Sequence, residues 1–163
     1  MILLVRYLAV VGLAFWLGGM SFYGAVVVPT AHEVLGSHRE IGFVTRTVTG
    51  TANAVGFATL ALLLGNTVVS FRKAGKPVRI TLVASLAVMV IAQAALFVLR
   101  RVLDGMLDPV AMTLTDRGRF MPLHERYLNV TSVLCVAALV HLWALLMAPR
   151  AAAPPPAGPG RPA

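Results

Sequence analysis

Residues 7–28, 51–71, 80–99 and 128–147 of this chain contain no Asp, Glu, Lys or Arg. A helix rises about 1.5 Å per residue, so about 20 apolar residues reach across the roughly 30 Å hydrocarbon layer of a bilayer. Inside that layer the backbone must satisfy its own hydrogen bonds, which leaves the helix as the form for such a stretch. Composition agrees: 58% of residues are hydrophobic and 12% are charged, against a usual charged share of about 25%. So few charges cannot cover a soluble surface. The expected fold is all-α, an integral membrane antiparallel four-helix bundle over residues 1–148, followed by a Pro/Ala-rich disordered tail over 149–163. The first stretch is longer than the apolar core of a secretory leader, and no small-residue cleavage pattern precedes a polar mature domain. It is read as a span.

Fourteen Lys and Arg against six Asp and Glu give a net charge of +8, which in a soluble protein would point to nucleic acid. Four spans divide the charges differently. Arg6, Arg72, Lys73, Lys76, Arg79, Arg150 and Arg161 fall on one side with no acid among them. The other side carries Arg39, Arg46, Arg100, Arg101, Arg117, Arg119 and Arg126 together with all six acids, Glu33, Glu40, Asp104, Asp108, Asp116 and Glu125. The dense basic hairpin at 72–79 places the acid-free side in the cytoplasm. The chain is therefore expected in the cell inner membrane, with N- and C-termini cytoplasmic. Its positive charge serves topology and contact with anionic headgroups of the lipid bilayer, and no nucleic acid is expected as a partner.

Small residues recur at helical spacing: Ala14 and Gly18, with Gly12 and Gly19; Gly50, Ala54, Ala58, Ala61 and Gly65; Ala84, Ala87, Ala92 and Ala95. They let membrane helices approach closely, and so predict tight packing within the bundle, with a dimer interface as the alternative. Between the last two spans, Val102, Leu103, Met106, Leu107 and Val110 suggest a helix that projects beyond the bilayer or lies on its surface, ending at Asp108–Pro109.

Among the sparse polar residues inside the spans, Asn66, Gln93, Thr131, Ser132, Cys135 and His141 stand out. His141 is the ionisable side chain deep in a span, hence a functional candidate; the plain reading is a neutral imidazole bonded to a carbonyl or to Gln93. As a haem ligand it would need its own symmetry mate, or a methionine such as Met20 or Met89. Cys135, the sole cysteine, is expected to behave as a small hydrophobe. On the acid-bearing side, His32–Glu33 follow the first span and His124–Glu125 precede the fourth, with His38 further along the first loop. If the first and fourth helices are neighbours, these groups share one depth and suit copper or zinc, with Met121 one turn from His124 as a thioether. The plain alternative is helix capping and salt bridges with Arg46, Arg119 or Arg126. There is no G-x-G-x-x-G, Walker lysine, G-x-S-x-G, HExxH or CxxC, so nucleotide, hydrolase and standard zinc chemistry have no support.

The run Phe15-Trp16-Leu17-Gly18-Gly19-Met20-Ser21-Phe22-Tyr23, then Val26-Val27-Val28-Pro29, resembles the W-x-G-G…F…V-x-P signature of small tetra-helical membrane proteins. These are bacterial relatives of the transmembrane protein 205-like family, and the copper-resistance D-like group has a comparable helix. Phe120-Met121-Pro122-Leu123-His124 is similar to the F-x-x-L-H element before that family's last helix, although Tyr127 and Thr131 stand where its pattern has a serine and an asparagine. The resemblance implies four helices, membrane residence and a hint of metal handling at His124. The chain thus reads first as a non-enzymatic membrane bundle associating as a homo-oligomer or with other membrane proteins. Metal handling through His32 and His124 is the second reading, and a haem oxidoreductase using His141 the third.

Overall fold

The computed structural model describes residues 2–36, 38–71, 74–108 and 113–148; the expected tail at 149–163 lies outside them. The chain is almost wholly helical. Helix α1 (Ile2–Phe22) passes through one π turn (Tyr23–Val27) into α2 (Val28–Leu35). Helices α3 (His38–Phe71) and α4 (Lys76–Asp104) follow, then a two-residue hairpin of β1 (Leu107–Asp108) and β2 (Thr113–Leu114), then α5 (Arg117–Met147). Four helical stretches are long and apolar enough to cross a membrane, with most of α1, the π turn and α2 counting as one from Leu4 to Leu35.

Pro29 explains the π turn. A proline cannot donate to the carbonyl four residues back and crowds it. Here the chain widens by one residue, and the Val28 N–H donates to the Tyr23 carbonyl, so helix direction survives past the proline. The true end is Gly36, at φ 59°, whose N–H caps the His32 carbonyl at 3.2 Å. A left-handed residue after a helix is glycine's ordinary position.

The helices outrun the apolar stretches. Helix α3 begins at His38 rather than 51, α4 reaches Asp104 rather than 99, and α5 starts at Arg117 rather than 128. Hydropathy marks only where a helix is apolar; nothing in 38–50 or 117–127 breaks one, and Pro122 falls near the start of α5. Asp116 caps that start, its carboxylate accepting from the Arg119 N–H at 3.0 Å. Of the helix expected in the last loop, 100–104 is present as the continuation of α4 past the apolar stretch, and Val110 lies outside the described residues. Leu107 lies in a strand instead, paired with Leu114, and Asp108 with Thr113.

Helix α4 packs along α5 and α1 along α3; α3 and α4 join the two pairs, and α1 meets α5 more sparingly. Leu13, Leu63, Leu82, Met89, Leu96, Leu134 and Leu145 fill the centre. At the basic end Arg6 donates to the Leu145 carbonyl, in the last turn of α5 where carbonyls lack helical partners.

The small-residue stripes are not where α3 packs. Ala54, Ala58, Ala61 and Gly65 are exposed, whereas the buried face is Asn53, Gly56, Thr59, Leu60, Leu63, Asn66 and Thr67. Ala84 and Ala87 on α4 are likewise exposed. The expectation counted small residues without asking which face held the polar ones, and the polar ones went inside. Replacing the α5 cap by Asp116→Ala should lower unfolding stability by about 1 kcal/mol. Thermal unfolding in detergent checks this, and Asp116→Asn should retain most of the wild-type value.

Candidate functional site

Two groups of polar side chains lie between the helices. The first ties all four together near the acid-bearing end. Trp16 on α1 donates from Nε1 to the Ala52 carbonyl of α3 at 3.0 Å. Gln93 on α4 donates from Nε2 to Asn53 Oδ1 at 3.0 Å, and Asn53 donates from Nδ2 to the Tyr127 hydroxyl of α5 at 3.3 Å. Asn53, Gln93 and Tyr127 are all buried. Gln93 Oε1 keeps no partner.

Further toward that end, Asp104 receives Arg46 Nε at 3.3 Å and Arg100 Nη2 at 3.5 Å. Arg100 also donates to the Arg46 carbonyl at 3.4 Å. Two arginines on one carboxylate leave a local positive charge, and the side chains are only about a quarter to a third exposed. Glycine makes room for both groups. A Cβ at Gly50 would stand 2.5 Å from Arg100 Nη2, and one at Gly56 would stand 2.9 Å from Gln93 Oε1 and 3.0 Å from Trp16 Nε1.

The second group lies toward the basic end and centres on His141, which is fully buried. Its Nδ1 is 2.8 Å from Ser85 Oγ, and Ser85 Oγ is 2.6 Å from the Thr81 carbonyl. A carbonyl can only accept, so the serine proton points to Thr81 and Nδ1–H donates to Oγ. That leaves Nε2 as a lone pair, and it has no partner. Gln93 is not the partner; eight residues along α4 separate it from Ser85, about 12 Å. Both amide atoms of Asn66 and the Thr67 hydroxyl are also buried without partners. Asn66 and Thr67 belong to the same stretch of the α3–α4 pairing, which runs from Asn53–Gln93 to Phe71 under Arg79 and so brackets Ser85. An imidazole anchored at Nδ1 with Nε2 bare can accept a hydrogen bond or bind a metal, and a free carboxamide can both donate and accept.

The residues expected to hold copper or zinc lie elsewhere. His32 and Glu33 are exposed on α2, which packs against α3. His124 is half-buried on α5 and stacks on Phe120, ring centroids 5.7 Å apart and planes 10° from parallel. Met121 and Glu125 are exposed. The side chain of His38 lies outside the described residues. The expectation rested on α1 and α5 as close neighbours, but the main partners of α1 and α5 are α3 and α4. Among the described residues, no three His, Cys, Asp or Glu side chains gather as a metal group.

Sequence reasoning passed over Asn53, Ser85 and Tyr127. Asn53, Gly56, Thr59, Leu63, Asn66 and Thr67 recur at three- and four-residue steps, a polar helical stripe that periodicity alone could have isolated. Thr131 and Ser132 were singled out, but their hydroxyls donate to the Tyr127 and Leu128 carbonyls of their own helix at 2.8 and 3.1 Å. Such back-bonding is how hydroxyls are satisfied inside a helix.

Gly56→Ala should destabilise the fold by about 1–3 kcal/mol, because Gln93 and Trp16 are both held by hydrogen bonds and cannot easily give way. Gly50→Ala should cost less, since it meets the flexible end of Arg100. Unfolding both variants in detergent tests this ranking; the reverse order would contradict the described seats.

No curated protein and no solved structure matches the chain. Residues 11–107 match the family described as a domain of unknown function, DUF4149, a stretch that takes in the Trp16–Asn53–Gln93 group and Ser85 and stops before His124 and His141. Since that match covers more than half of the 163 residues, the chain belongs to the DUF4149 family.

Proposed function

We propose that this chain is a multi-pass protein of the bacterial inner membrane, an antiparallel four-helix bundle with both termini in the cytoplasm. It acts without catalysis, by associating with further copies of itself or with other membrane proteins. The carrying observation is how little of the first span is used within the chain. Of its apolar window 11% is buried, against 33–39% for the other three. Ala14, Gly18 and Ser21 on α1 and Ala25 in the π turn are exposed at four- and three-residue steps, and a Cβ at Gly18 would meet nothing within 4 Å. Gly12, by contrast, faces Thr59 and Leu62 of α3. Small residues with no internal use are what a partner helix needs for close approach. The resemblance of the Trp16–Gly19 and Phe120–His124 elements to the transmembrane protein 205-like and copper-resistance D-like groups belongs to this reading, and supports membrane residence.

Disulfide trapping tests the association. In a Cys135→Ser background, Gly18→Cys should give a cross-linked dimer in membranes under mild oxidation, and Leu139→Cys, exposed on α5, should not. Equal cross-linking at both positions, or none at Gly18, would refute a specific face on α1. The orientation rests on the acid-free basic side. A C-terminal alkaline phosphatase fusion should be inactive and a fusion after Gly36 active; the opposite pattern would invert the topology.

A further inference from the structure

We infer that the groove between α3 and α4 at the basic end holds one acyl chain of an anionic phospholipid, with its phosphate on Arg79. The inference rests on the membrane-spanning reading above and gives one of its surfaces a specific occupant.

The groove has a volume of about 630 Å³ and is walled by Leu64, Val68 and Phe71 of α3 and Val83, Ala87 and Ile91 of α4. Its wall is almost entirely hydrocarbon. Thr67 supplies the only hydroxyl among the lining residues, and its buried oxygen has no partner among the described residues. From Val83 to Ile91 the groove follows α4 for about 12 Å, most of the roughly 15 Å depth of one leaflet's hydrocarbon.

The polarity of its mouth gives the direction. Phe71 lines the groove, and the Arg79 guanidinium lies over its ring, 4.9 Å from the centroid. Stacking of this kind holds the cation at the rim while leaving its N–H donors free to meet an anion. Lys76 stands one turn earlier, in the first turn of α4, where the helix dipole adds to the positive potential. Neither Lys76 nor Arg79 has an ion pair among the described residues. All six acids of the chain lie at the other end, so the counter-ion must come from outside it. An apolar channel about as deep as a leaflet, with cations only at its interfacial mouth, matches a phospholipid with its headgroup at the mouth and its chain inward. A soluble anion would leave the channel unfilled, and a peptide would find no backbone donors or acceptors along these walls.

Native mass spectrometry of the full chain in detergent, offered dioleoylphosphatidylglycerol and dioleoylphosphatidylcholine in equal amounts, tests this. The phosphatidylglycerol adduct should predominate. Arg79→Gln should cut that preference about fivefold, the equivalent of the roughly 1 kcal/mol one basic residue contributes at an anionic surface. Ala87→Phe, which fills the groove, should abolish selective retention of the lipid; circular dichroism on both variants confirms that the helices remain. Equal retention of the two lipids, or retention of phosphatidylglycerol unchanged in Ala87→Phe, would overturn the inference. So would an Ala87→Phe variant that loses oligomer mass while keeping the lipid, which would make the occupant a helix of another copy. Alkaline carbonate extraction separates the premise from the site. Release of the protein defeats the membrane reading itself, whereas a protein that stays in the membrane and shows no lipid preference defeats only the groove assignment.

Discussion

A helix spends its backbone donors and acceptors on itself, so a polar side chain buried against other helices must find its partner on one of them or back-bond to its own turn. The Asn53 carboxamide shows what that constraint builds. Its oxygen accepts from Gln93 of α4 and its nitrogen donates to Tyr127 of α5, while one residue earlier the Ala52 carbonyl accepts from Trp16 of α1. Three side-chain contacts, all landing on α3 within two residues, relate four helices at a single level. Apolar packing between helices can slide by a turn at small cost; a carboxamide with both ends engaged cannot, because a shift leaves buried polar atoms unpaired at about 1–3 kcal/mol each. That level therefore sets the register from which the rest of the packing is measured.

Close approach is the condition for such contacts, and two glycines provide it. Gly56 lets Gln93 and Trp16 converge on α3, and Gly50 seats the Arg100 guanidinium so that it reaches both the Arg46 carbonyl and Asp104. The ionic group then extends the α3–α4 contact into the part of the helices that continues beyond the apolar stretches. There the partial exposure of Arg46, Arg100 and Asp104 keeps the desolvation cost below that of a fully buried pair.

Much of this was legible in the sequence. The absence of charge over four stretches forecast four long helices, and they are present. The sidedness of acids and bases was equally plain. What hydropathy could not give was helix length, since α3 begins within a polar segment that lacks breakers and α5 within one whose Pro122 falls near the start, or the continuity through Pro29, which depends on a one-residue widening of the turn. Face assignment failed for a different reason. In soluble helices the polar stripe faces out, and small residues were taken as the packing seam. On α3 the seam is the polar stripe, with Phe57, Leu62, Leu64 and Val68 exposed, the arrangement that the proposed membrane surround would select, since it reverses which residues seek the interior. Ser85 as the partner of His141 was not readable either: the sequence pointed to a carbonyl or to Gln93, and only the α4–α5 register brings Ser85 to the imidazole.

The two ends of the molecule differ in how fully they satisfy themselves. At the acid-bearing end the buried carboxamides and Arg46 and Arg100 meet partners on neighbouring helices, and among the described residues Gln93 Oε1 and Arg100 Nε are buried without one. At the basic end the carboxamide of Asn66, the hydroxyl of Thr67 and the Nε2 of His141 are all unpaired, and every charge in the sequence on that side is positive. Unmet hydrogen-bonding capacity and unmet charge at the same end have a common physical meaning. Among the described residues the chain satisfies itself more fully at the acid-bearing end and leaves more of its demands open at the basic one. Partners of opposite charge would stabilise that open end most, so an anion bound there should be felt more strongly in stability than one met at the acid-bearing end.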